Sequence, residues 1–75
     1  MMVVMNRIDS SNIFKVGYNP VRNTLHVEFV NGQRYRYSDV MPSTFARFMN
    51  APSKGTFLNK EIKPRFVVRQ LNNDF

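Results

Sequence analysis

The stretch from Thr24 to Tyr37 constrains this chain more than any other. Leu25, Val27 and Phe29 alternate with His26 and Glu28, Asn31-Gly32 follows, and Tyr35 and Tyr37 then alternate with Arg34 and Arg36. Period-2 alternation on both sides of an Asn-Gly pair predicts a β-hairpin with one buried and one polar face. Register then becomes decidable, because a one-residue slip moves every side chain to the opposite face. A two-residue Asn31-Gly32 loop would place Val27 on the face of Arg36. A three-residue loop, Val30-Asn31-Gly32, with Gly32 left-handed in a bulge, sets Val27 opposite Tyr35, Leu25 opposite Tyr37 and Glu28 opposite Arg34. The second arrangement keeps the alternation consistent.

The same test extends upstream. Asn12 to Tyr18 is rich in apolar, β-branched and aromatic residues and runs into Asn19-Pro20, so it predicts a strand followed by a turn. With Asn19 to Thr24 as the loop, Tyr18 faces Leu25, Val16 faces Val27 and Phe14 faces Phe29. The inner face is then Phe14, Val16, Tyr18, Leu25, Val27, Phe29, Tyr35 and Tyr37. The outer face carries Lys15, His26, Glu28, Arg34 and Arg36 in solvent. Downstream, Met41-Pro42-Ser43 starts a helix with Pro at its first position, and Phe45, Phe48 and Met49 fall at helical spacing to cover the inner face. Ser53 caps a second short helix to about Ile62, which offers Phe57, Leu58 and Ile62 to the same core before Lys63-Pro64 ends it. Phe66 to Leu71 is a candidate edge strand, and Asn72 to Phe75 reads as a flexible tail. The expected fold is α+β: a three-stranded antiparallel meander covered on one face by two short helices, with that C-terminal edge strand beside it.

Seventy-five residues without a repeat, linker or low-complexity tract suit one domain spanning residues 1–75, with its core at about 8–71. A chain this short buries only about 60% of its unfolded surface. With no Cys and one His, neither disulfides nor a thiolate or histidine metal cluster can reinforce it, so no metal or cofactor is expected. Seven Phe, three Tyr and five Met supply large side chains that fill a thin core. The N-terminal run Met1, Met2, Val3, Val4, Met5 is too short for a signal peptide or a span, which implies a cytoplasmic protein.

Taken in order, several segments resemble the KTSC domain, a family named for its occurrence at the C-terminus of some lysyl-tRNA synthetases and found also as small stand-alone proteins. They are Ser10-Ser11-Asn12-Ile13, Val16-Gly17-Tyr18-Asn19-Pro20, Thr24-Leu25-His26-Val27-Glu28-Phe29, Asn31-Gly32, Tyr35-Arg36-Tyr37, and Ala51-Pro52-Ser53-Lys54-Gly55-Thr56-Phe57-Leu58-Asn59-Lys60-Glu61-Ile62. The resemblance implies RNA binding through association with the synthetase, an analogy of fold and context rather than of site.

Lys and Arg number 11 against five Asp and Glu, a formal charge of +6. That balance favours an anionic partner, nucleic acid or an acidic protein, although solubilising charge explains it as well. Two groups of candidate anion-binding residues emerge. Lys15, Arg34 and Arg36 share the outer sheet face, where pairing with Glu28 accounts for part of the charge. Ser53, Lys54 and Gly55 open the second helix, followed by Lys60, Lys63, Arg65 and Arg69, and this half is the more basic. The ordinary reading of that helix start is N-capping, with Gly55 permitting close packing against the sheet. Tyr35 and Tyr37 could stack bases, but the register turns them inward as core, and Tyr18 and Gly32 are structural too. Five scattered carboxylates and one His disfavour catalysis, leaving a toxin-type ribonuclease as the exception. Three readings follow: a non-enzymatic protein binding RNA or other nucleic acid; an interaction module, such as a bacterial or phage inhibitor, docking on an acidic or nucleic-acid-handling protein; and a protein that sequesters small nucleotides.

Overall fold

Val30-Asn31-Gly32 forms the expected three-residue turn in the computed structural model, which describes residues 3–71. Gly32 has φ of +90° with no atom near its missing Cβ, so glycine is required there by backbone conformation rather than by crowding. The turn joins two strands of a five-stranded antiparallel sheet: β1 (Asn6–Arg7), β2 (Ile13–Asn19), β3 (Thr24–Phe29), β4 (Arg34–Tyr37) and β5 (Val68–Leu71), adjacent in chain order. Leu25 pairs with Tyr37, Val27 with Tyr35 and Glu28 with Arg34, as the alternation required.

The sheet is wider than the three-stranded meander. β5 pairs with β4 along the expected edge. β1 pairs with the other side of β2, through two polar residues in which there is no alternation to read. The expected tail, Asn72 to Phe75, lies outside the described residues.

The β2–β3 register departs from expectation at one point. Val16 faces Val27 and Tyr18 faces Leu25, but Ile13, not Phe14, faces Phe29, because a β-bulge lies between Ile13 and Lys15. Ile13 and Val16 both point into the core, each 1% exposed. The two residues between them are left on the outer face together, which turns Phe14 out beside Lys15.

α1 (Pro42–Asn50) begins with its proline, and α2 (Lys54–Phe57) begins at Ser53, whose Oγ accepts the Thr56 N–H at 3.3 Å. α2 runs on as a π-helical turn, Leu58–Ile62, closed by the Lys63 N–H on the Leu58 carbonyl at 2.8 Å. Together they cover the inner face. Phe48, Leu58, Ile62 and Val40 meet Ile13, Val16, Leu25, Val27 and Tyr37 in one buried cluster. Burial, with Tyr35 beside it, pushes the Tyr37 phenol up to about 12. Tyr18 stacks on Phe45 with ring centroids 4.4 Å apart and donates its hydroxyl to the Val40 carbonyl, tying β2 to the segment before α1. Among the described residues no helix is long and apolar enough to cross a membrane.

The outer face is not wholly open. A Cβ on Gly17 would lie 2.6 Å from the Val4 carbonyl oxygen and 2.7 Å from Met5 Sδ and Val3 Cγ1, so the segment before β1 crosses directly over that glycine. Gly17 pairs with His26. His26, expected in solvent, is instead buried at 6% exposure, its Nε2 3.0 Å from Thr24 Oγ1. Desolvation and the neighbouring Arg36 both hold its imidazole below the usual value.

Candidate nucleic-acid interface

Cross-strand pairing arranges the outer face in rows. Arg7 opposes Lys15, Lys15 opposes Glu28, and Glu28 opposes Arg34. The next row runs from Gly17 through His26 and Arg36 to Arg69. Neighbouring strands lie about 5 Å apart and same-face rows about 7 Å apart. Arg7 and Lys15 on the β1 side and Arg34, Arg36 and Arg69 on the β5 side therefore share one face as two cationic groups, with Glu28 and the buried His26 between them. Glu28 accepts from Arg34 Nε at 3.2 Å, which takes up that carboxylate and leaves the rest of the face cationic.

At the β1 side of this face the bulge supplies an aromatic ring. Arg7 Cζ stands 5.3 Å and Lys15 Nζ 5.2 Å from the centroid of the half-buried Phe14. Cations at that range are held by the ring quadrupole. The result is a half-buried aromatic ring with two cations over it on a sheet face. Neither Phe14 nor Arg7 was among the expected site residues: the alternation placed Phe14 in the core, and nothing in the sequence marks Asn6–Arg7 as a strand.

The expected residues divide between two sides of the molecule. Lys15, Arg34 and Arg36 lie on the outer face, and Arg69 joins them through β5 instead of staying with the basic C-terminal half. Ser53, Lys54, Gly55, Lys60, Lys63 and Arg65 remain on the helical side. Glu61 ties down part of that charge, with Arg47 at 3.7 Å and Arg65 at 3.8 Å from its Oε1. Lys54 turns back toward the Ala51 carbonyl at 3.4 Å, Lys63 lies over the Phe29 ring at 5.6 Å, and Lys60 is exposed. Gly55 is not pressed against the sheet as expected, since the nearest atoms to a Cβ there would be 3.8 and 4.0 Å away. Tyr37 is fully buried and has no face free for stacking, and Tyr35 is half-buried, its ring T-shaped against Phe29 with centroids 5.6 Å apart. Among the described residues no three His, Cys, Asp or Glu side chains gather as a metal site.

Comparison with known proteins agrees with this architecture. The family model for the KTSC domain matches residues 9–66. A small protein of Tsukamurella paurometabola is 39% identical over 62 residues, covering 83% of this chain and 92% of the relative. A lysine–tRNA ligase of Nostoc punctiforme is 41% identical over 64 residues, 85% of this chain but 11% of the ligase. The crystal structure of a KTSC domain protein from Yersinia pestis superposes with a TM-score of 0.85 at 33% identity, covering 92% of this chain and 97% of that one.

Proposed function

The chain belongs to the KTSC domain family, and we propose that it is a non-enzymatic module that binds single-stranded RNA on the outer face of its sheet. The observation that carries this reading is Phe14 with Arg7 and Lys15 about its ring, on the same sheet face as the second cationic group Arg34, Arg36 and Arg69. Aromatic stacking gives affinity without sequence preference, because every base has a π-face, and the cations follow the phosphates. Relatives that ligate lysine to tRNA handle RNA themselves, which adds weight of context.

A filter-binding titration with tRNA and with a single-stranded oligoribonucleotide tests it. Affinity falls with salt at a slope near −0.7 per phosphate contacted. Phe14→Ala weakens binding by about 1–3 kcal/mol whatever the sequence. Absence of affinity for both RNAs at low salt sinks the proposal. In that case, recovery from lysate of protein partners that survive nuclease treatment supports the acidic-protein reading of the same face.

A further inference from the structure

A second site lies on the helical side. The loop before β2, the β3–β4 turn and α2 with its π-helical turn enclose two adjoining concavities of about 500 and 370 Å³. They share Ser11, Asn12, Gly55 and Asn59. Phe29, Asn31 and Lys63 line the larger, and Asp9, Ser53 and Lys54 line the smaller.

Gly55 is the telling residue. Glycine in a helix interior costs about 0.8–1 kcal/mol relative to alanine, and less in the first turn, where Gly55 stands. Here that cost has no return in packing, because a Cβ would meet its nearest atoms at ordinary contact distance, 3.8 Å from Asn12 Nδ2 and 4.0 Å from Ser10 Oγ. What a side chain at Gly55 would occupy is the space both concavities share. Around that space, the amides of Asn12 and Asn59 make no hydrogen bond with any described residue, leaving donors and acceptors turned to solvent. Phe29 offers an aromatic ring, with the exposed Lys63 ammonium 5.6 Å from its centroid. Volumes of this size suit a small molecule, and the lining combines one ring, neutral amides, two lysines and, at the Ser53 end, the carboxylate of Asp9.

We propose that this groove binds a mononucleotide, with the base against Phe29 among the amides of Asn12, Asn31 and Asn59, and the phosphate toward Lys54 and Ser53. The amides supply both donors and acceptors for the edge of a heterocycle. Lys63 gives up the ring to the base. The site is separate from the outer face and does not depend on it.

The test is a titration of the isotope-labelled full chain, followed by amide resonances, with each of the common ribonucleoside monophosphates and with inorganic phosphate alone. At least one nucleotide produces saturable shifts at Asn12, Asn31, Gly55 and Asn59. Gly55→Leu weakens that binding by about tenfold or more. Gly55→Ala raises the melting temperature yet still weakens the nucleotide, which separates groove occupancy from folding. Phe14→Ala leaves it unchanged, so loss of RNA binding on the outer face and loss of nucleotide in the groove are read independently. The proposal is overturned by absence of saturable shifts with every nucleotide at millimolar concentration, by shifts confined to the outer face, or by equal shifts and affinity with phosphate alone.

Discussion

Arg36 stands directly opposite Arg69 in the β4–β5 pair, both on the outer face, and neither has a carboxylate partner among the described residues. Like charges in direct cross-strand register destabilise a sheet, so this placement lowers stability while concentrating charge where an anion would lie. Arg69→Glu therefore separates the two effects. Stability rises by about 0.2–1 kcal/mol, more at low salt than at high, while affinity for RNA falls. Urea melts at two ionic strengths, beside filter binding, measure both. A variant that loses stability, or that keeps full RNA affinity, contradicts the role given to the pair.

The bulge makes a second prediction, because it exchanges the places of Ile13 and Phe14. Phe48, fully buried, costs about 3–5 kcal/mol when cut to alanine. For a chain of this length, with total stability near 0.05–0.15 kcal/mol per residue, that leaves little folded protein. Phe14→Ala instead costs under about 1 kcal/mol, since its ring is half outside and anchors no core neighbour. Comparable losses in thermal melts of the two variants would return Phe14 to the core.

That exchange also shows what the sequence could and could not disclose. The β3–β4 register was readable because alternation and a glycine turn act together over adjacent residues, and a slip would have buried Arg36. The helix starts at Pro42 and Ser53 were readable for the same local reasons. A bulge leaves no such mark. Ile13, Phe14 and Val16 are all apolar, so pattern alone ranks either of the first two as the core residue, and only long-range packing decides. The pairing of β1 is equally hidden: residues 3–7 reach the sheet beside Gly17, the cross-strand partner of His26, from a distance in sequence, and nothing local to either residue announces their arrival. Arg69 is the remaining case. Its place on the outer face depends on β5 reaching β4, a pairing between segments more than thirty residues apart.

Gly17 tests the crossing directly. With three atoms already within 2.7 Å of an added Cβ, one of them a backbone oxygen, Gly17→Val cannot be accommodated by rotating a side chain. The segment Val3–Met5 must lift from the sheet at Gly17. Stability falls by about 1–3 kcal/mol through lost packing and overcrowding. Hydrogen exchange at Asn6 accelerates while that of Val27 and Tyr37, deeper in the sheet, changes only with global stability. Unchanged protection at Asn6, which pairs with Val16, would show that the segment does not depend on the glycine.

His26 carries the pH dependence. Burial first, and Arg36 second, disfavour the charged imidazole in the folded chain, so its value lies below the 6.5 expected when unfolded. Between those two values the unfolded state binds a proton that the folded state refuses, and stability must rise with pH there. The contribution is fully present above 6.5 and is lost as pH falls through the folded value. His26→Gln keeps a polar partner for Thr24 and removes the titrating group, so its urea stability is flat over the window in which the parent declines. Because carboxylates begin to titrate at about 4, the decline starting near 6.5 belongs to histidine and to no acid. The two proteins should differ most at the acid end of that window. Parallel curves for parent and variant would show that the imidazole takes up its proton alike in the folded and the unfolded chain.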